Sequence, residues 1–112
     1  LWDMPNASRA QRLLHHVAHL VKPIMRRHGY HIPRLEEFWS RDSYGRTHVR
    51  VRDKTVERVQ LGLRDIQDPR RFQPIGQIIE TLLHELAHQR FGRHDERFWR
   101  QQQIHRDEFA AL

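Results

Sequence analysis

The chain has 112 residues, 38% hydrophobic and 30% charged, which sizes it for a single domain over residues 1–112 that buries roughly two thirds of the surface its unfolded chain exposes. It has no cysteine, which excludes disulfides, thiolate metal sites and cysteine nucleophiles and fits a reducing, intracellular setting; no apolar run reaches the ~18 residues of a membrane span. The net charge is +6 and 18 of the 20 basic residues are Arg, which directs attention to a polyanionic partner, although a general Arg bias would give the same charge without one.

The start at Leu1-Trp2-Asp3, without an initiator Met or a secretory signal, is what an excised catalytic domain would show, and a monomer is expected. Over residues 7–28, Ala10, Leu13, Leu14, Val17, Val21, Ile24 and Met25 recur at spacings of three and four, which predicts an amphipathic helix. Asn6 or Ser8 is placed to cap it and Gly29 to stop it. Pro23 removes the bond to the carbonyl of His19 and predicts a kink or break near Lys22. His15, His16 and His19 fall on the polar side with no further ligand nearby and read as solvated.

After an extended His31-Ile32-Pro33, a short strand is expected over 35–40, then a turn over 41–45. Two clearer strands follow. In 47–52, Thr47, Val49 and Val51 alternate with His48, Arg50 and Arg52; in 58–64, Val59, Leu61 and Leu63 alternate with Arg58, Gln60 and Arg64. Paired antiparallel across 53–57, they make a small antiparallel sheet with an apolar face for the helices and a second face carrying Arg50, Arg52, Arg58 and Arg64. A solvated sheet face is the bland reading of those arginines; with the net charge, they are also the first candidate for a nucleic-acid-binding surface.

Residues 65–74 read as a loop, and Pro74 suits the first turn of a helix. There Ile75, Ile78, Ile79, Leu82, Leu83 and Leu86 form an apolar stripe, and at about 100° per residue His84 and His88 fall on nearly the opposite side, with Gln77 and Thr81 beside them. Gly92 is expected to end this helix in a left-handed conformation, and Asp95 to cap a last helix from about Glu96 to Phe109 whose Phe98, Trp99 and Phe109 pin the intervening loop. The elements together predict an α+β fold: a small sheet packed with an N-terminal helix, an active-site helix and a C-terminal helix.

The chemistry lies in His84-Glu85-Leu86-Ala87-His88 with His94 beyond it. Histidines four apart on a helix share a face and can close on one metal ion, and His94 follows after a bend as a third ligand. With ten histidines and seven glutamates in the chain, chance gives about 0.05 His-Glu-x-x-His matches, and roughly 0.005 once His94 is required. Two surface histidines on an ordinary core helix are thus the weaker reading. Three imidazoles leave one position of tetrahedral zinc open for water, as a catalytic site requires, and Glu85 is placed as general base and acid for hydrolysis of a peptide or isopeptide bond. Tyr30, Tyr44 and several arginines remain open as oxyanion partners. Phe91 where the metzincin pattern wants Gly, and Met4 and Met25 both preceding the motif, argue against a metzincin.

The chain resembles the WLM domain family, the Wss-type proteases of DNA-protein crosslink repair, themselves similar to the SprT and Spartan group. The likeness runs through Val21-Lys22-Pro23-Ile24-Met25, Leu35-x-Glu37-Phe38, Leu61-x-Leu63-Arg64, Phe72-x-Pro74, Glu80 to His88, and His94-Asp95-x-x-Phe98-Trp99, roughly residues 10–105. It departs at Arg93, where the family commonly has Pro, and at Gly45-Arg46-Thr47-His48-Val49, where it has an Asn-containing segment. The resemblance implies a compact zincin-like, SprT/minigluzincin-like domain with one catalytic zinc on His84, His88 and His94 and catalysis by Glu85. It further implies cleavage of proteins trapped on DNA, stimulated by DNA, in the nucleus, with SUMO and a segregase engaged through tails outside this sequence and no membrane partner. An isopeptidase acting on SUMO or ubiquitin conjugates is the second enzymatic reading; a non-catalytic zinc-containing nucleic-acid-binding module is the third, against which Glu85 stands, since a structural site needs no base. The 18 residues after His94 are expected to wall the cleft poorly, leaving selectivity to a DNA tether that raises the local substrate concentration.

Overall fold

The computed structural model describes residues 5–112; Leu1 to Met4, with the expected excised start, lie outside the described residues. The elements are α1 (Ala7–His28), β1 (Leu35–Phe38), β2 (Gly45–Val49), β3 (Val56–Gly62), α2 (Ile75–Ala87) and α3 (Glu96–Ala110). The α+β class is as expected, and no helix among the described residues is long and apolar enough to cross a membrane.

α1 runs unbroken through Pro23, so of the expected kink or break the break does not occur. His19 and Pro23 both lie on the solvent side, where water can serve the carbonyl that the proline leaves without a partner. Asn6 stands at the N-cap in a left-handed conformation and its side chain makes no capping bond. Gly29 does stop the helix, with φ 67°: its N–H reaches the Arg26 carbonyl at 3.4 Å and that of Tyr30 the Met25 carbonyl at 2.9 Å, the paired bonds of a Schellman turn. His15, His16 and His19 are exposed.

The sheet is mixed, not antiparallel. β3 is central in the order β1-β3-β2, pairing antiparallel with β2 and parallel with β1, Leu35 opposite Val59 and Phe38 opposite Gly62. Residues 39–44 therefore carry the chain from one edge to the other instead of closing a hairpin. β2 also ends earlier than the alternation predicts. Asp53 Oδ1 accepts from Thr55 N–H at 3.0 Å, and Arg50 N–H bonds the Thr55 carbonyl at 2.8 Å, so the turn closes directly after Val49. Val51, expected on the apolar face, is 95% exposed at the hairpin tip.

Leu14, Val17, Val21 and Ile24 of α1, Val59 and Leu61 of β3, Leu63, and Ile78, Leu82 and Leu86 of α2 form one core. Each contributes about 1.5–3 kcal/mol by leaving water. Ile75, expected in the stripe, is exposed. Pro74 is the N-cap of α2, accepting from the Ile78 N–H at 3.3 Å, and the preceding loop is tied down by Gln73 Nε2, which donates to the Gly62 carbonyl at 2.8 Å.

Candidate metal centre

α2 packs by its isoleucines and leucines and turns His84 and His88 away from them, as its sequence predicts. The helix ends at Ala87 with His88 as its C-cap, four residues short of Gly92. The N–H groups of His88, Gln89 and Arg90 bond the carbonyls of Glu85, Leu86 and Ala87 at 3.1, 3.0 and 3.1 Å, a tightened last turn that stops the helix without a left-handed glycine. Gly92 does not adopt positive φ. His88 Nδ1 lies 3.1 Å from the carbonyl of Phe91, a contact that helps shape the bend.

The bend delivers His94, and Asp95 holds it by capping α3: its Oδ1 accepts from the N–H groups of Arg97 and Phe98 at 3.1 and 3.2 Å. Phe98, fully buried, places its ring centroid 4.8, 4.6 and 4.8 Å from those of His84, His88 and His94. One phenyl ring thus floors all three imidazoles. Trp99 is 49% exposed and stands at the rim, its ring 5.6 Å from that of His94.

The three histidines each offer one ligand atom, and these atoms lie within 4.8 Å of one another. His94 Nε2 is 3.2 Å from His88 Nε2. His84 Nδ1 is engaged by Gln102 Oε1 at 2.9 Å and His88 Nδ1 by a carbonyl, which leaves Nε2 of both turned to the common point. Such a set suits zinc or another imidazole-compatible cation.

Glu85 is buried beside β2. Its Oε1 accepts from the Thr47 hydroxyl at 2.8 Å, and Gly45 leaves room for its other oxygen: a Cβ there would come within 2.8 Å of Glu85 Oε2 and of Thr81 Cγ2. Burial pushes the Glu85 carboxyl above the ordinary carboxylate range, against the Thr47 bond and the charge of His94. Burial also lowers His88, assisted by the charges of its two histidine neighbours and opposed by the bond to Phe91. The imidazoles and Glu85 line an open cleft of about 470 Å³ whose other wall is β2 and the residues before it, including Tyr44, Arg46 and His48.

A sequence profile of the WLM domain matches residues 1–112. The chain belongs to the WLM domain family. The DNA-dependent metalloprotease WSS1 of Saccharomyces cerevisiae is 33% identical to it over 102 residues, which are 88% of this chain and 36% of that relative. The chain therefore spans about a third of the length of the curated relative. The crystal structure of Wss1 from S. cerevisiae superposes with a TM-score of 0.87 at 30% identity, covering 99% of this chain and 84% of that one. Wss1 from S. pombe gives 0.81 at 30% identity, covering 98% and 90%.

In this WLM domain the four arginines named from the sequence do not share a face. Arg64 is not a surface residue: its side chain is 0% exposed, with Nε donating to Glu37 at 2.7 Å, another nitrogen on the carbonyls of Pro5 and Pro69, and Phe72 beneath it. Arg64 lies just past the end of β3, and the loop 65–74 folds over it. Arg58 is half-buried and paired with Glu36 at 3.1 Å. Arg50 and Arg52 are exposed in the hairpin turn, with Lys54 beside them. Tyr30 lies away from the cleft, its hydroxyl engaged by His105 and Gln101, so Tyr44 is the tyrosine that reaches the cleft.

Proposed function

We propose that this WLM domain is a zinc-dependent endopeptidase that cleaves proteins crosslinked to or bound on DNA and is stimulated by DNA. The observation that carries the reading is the convergence of His84, His88 and His94 beside the buried carboxyl of Glu85 in an open cleft. His84, His88 and His94 would hold the zinc, which when bound polarises a scissile carbonyl and makes water more acidic. The protein's own part is to move a proton. Glu85 keeps Oε1 on the Thr47 hydroxyl, so Oε2 is the atom free to take a proton from water and pass it to the leaving amine.

The DNA half of the reading is supported by the likeness to the yeast relative, a DNA-dependent metalloprotease, and by the +6 charge. The exposed Arg50 and Arg52 at the hairpin tip are the contacts this reading assigns to phosphate, with Arg58 and Arg64 withdrawn from it by their ion pairs. The same reading puts the protein in the nucleus, with SUMO and a segregase met through tails beyond residues 1–112.

The test is zinc content together with cleavage of histone or casein, with and without DNA, for the wild type and Glu85→Gln. The variant should keep its zinc and lose cleavage by about 10²- to 10⁴-fold. Equal cleavage would remove Glu85 from the mechanism. Mapping the cut by mass spectrometry to a main-chain bond supports an endopeptidase, and a cut at a lysine side-chain amide would make the protein an isopeptidase instead.

A further inference from the structure

The buried side of α3 is polar, formed by Gln101, Gln102 and His105 around Phe98. Gln102 is 4% exposed, and an amide so placed is destabilising unless both its ends are paired. Its Oε1 lies 2.9 Å from His84 Nδ1 and its Nε2 3.4 Å from Glu80 Oε1. Glu80 is gripped by Arg106, whose Nε donates to Oε1 at 2.6 Å and whose NH2 also pairs with the carboxylate.

These contacts fix the direction of every hydrogen bond in the chain. Glu80 is ion-paired and so ionised, and an ionised carboxylate only accepts. The amide nitrogen of Gln102 must then be the end turned to Glu80, and its oxygen the end turned to His84. An amide oxygen also only accepts, so the proton of a neutral His84 sits on Nδ1 and its lone pair on Nε2, the atom that faces His88 and His94.

We propose that Gln102 is a positioning residue for His84: oriented by the Arg106–Glu80 pair, its amide oxygen holds His84 in the Nδ1–H tautomer and aims Nε2 at the zinc. The proposal rests on the reading of His84, His88 and His94 as zinc ligands. The relay gives α3 a second role. Through Asp95 it holds the loop of His94, and through Gln102 it sets the first ligand on α2, so both depend on one helix docking by Phe98. The amide also lets a carboxylate act on the histidine at one remove, with Glu80 polarising the amide through Nε2.

The test combines zinc affinity, by competition with a chromophoric chelator, with the tautomer of His84 in the metal-free protein, by two-bond ¹⁵N–¹H correlation at a pH where the ring is neutral. Gln102→Leu, of similar size, should weaken zinc about 10- to 100-fold and remove the Nδ1–H signature. Gln102→Glu combined with Glu80→Gln restores an acceptor toward His84 while keeping a donor against an acceptor between positions 80 and 102, and should restore both the tautomer and most of the affinity. A residue that served only packing would give the reverse order, with the buried charge more harmful than Leu. Gln102→Leu with unchanged tautomer and affinity overturns the proposal; should that variant not fold, the Gln102→Glu, Glu80→Gln double variant showing a lost Nδ1–H signature overturns it equally. A wild type that binds no zinc would instead sink the ligand reading, while its His84 tautomer would still decide what Gln102 does.

Discussion

Thr47 and Gly45 are where β2 meets the carboxyl of Glu85, one by a hydroxyl and the other by the lack of a side chain. Replacing Thr47 with Val keeps the shape and strips a buried carboxylate of its donor, a loss of about 1.5–3 kcal/mol where the group is charged. We expect Thr47→Val to slow cleavage roughly 10- to 100-fold with its zinc content intact, and Thr47→Ser to stay near wild type; steady-state rates beside metal analysis decide it, and a fully active Val variant would show that Glu85 needs no such support. Gly45→Ala should act on the same atoms by crowding, since its Cβ would come within 2.8 Å of Glu85 Oε2. The histidines and Glu85 were legible from the sequence because their relation is local: two turns of one helix and the bend after it. Thr47 lies 38 residues from Glu85 and Gln102 lies 18 from His84, so only the packing of separate elements shows what they do. Alternation places Thr47 on the helix-facing side of its strand but does not distinguish a hydroxyl that packs from one that donates to a buried carboxyl.

The helices were readable where their buried face is apolar and less so where it is not. α1 and α2 announce themselves by their stripes, whereas α3 buries Gln101, Gln102 and His105, which a hydrophobic pattern counts as solvent-facing. The strand order escaped for a different reason: β1 and β2 both pair with β3, and nothing in their composition says which edge each takes or that β1 runs parallel. α3 is fastened to the end of α1 by a chain of hydrogen bonds. Gln101 Nε2 donates to the Tyr30 hydroxyl at 3.0 Å, the hydroxyl meets His105 Nε2 at 2.9 Å, His105 Nδ1 meets Glu108 at 3.0 Å, and His28 meets the same carboxylate at 2.8 Å, with Arg27 beside it and Arg90 over the ring of Tyr30. Burial lowers the proton affinity of His105, against its bond to Glu108. Burial alone would raise Glu108, but the bonds from His105 and His28 and the positive groups around it bring it below the ordinary range. Both folded-state values lie below the unfolded ones, so both groups stabilise the fold fully above their unfolded values of 6.5 and 4.5, and the contribution is lost as the pH falls through each folded value. The metal-free protein should therefore melt progressively lower from about pH 7 to about pH 4. Glu108→Gln should cost about 1–3 kcal/mol at neutral pH and flatten the fall at its acid end; parallel melting curves for wild type and variant would refute this clamp.

Charge and shape meet at the hairpin between β2 and β3, which projects Arg50, Arg52 and Lys54 into solvent around a Val51 that is 95% exposed. β2 is also a wall of the cleft, so whatever grips the hairpin tip is tethered to the strand that flanks Glu85. An open cleft of this kind gives a substrate few side-chain pockets, and a tether raises the local concentration of a protein held on the same DNA without improving its fit. If the proposed function holds, the arginines would act through association and their contribution would fade with salt, because each phosphate they neutralised would release a counterion. Converting Arg50 and Arg52 to Gln should reduce the slope of log affinity against log salt by about 1.8 for duplex DNA or about 1.4 for a single strand, whichever the protein binds. The stimulation of cleavage by DNA should fall with that affinity, most steeply at moderate salt where binding is half-saturated. Titrations at several salt concentrations measure the slope directly, and an unaltered slope would move the DNA contact away from the hairpin to the remaining exposed arginines, with the cleft chemistry left as it stands.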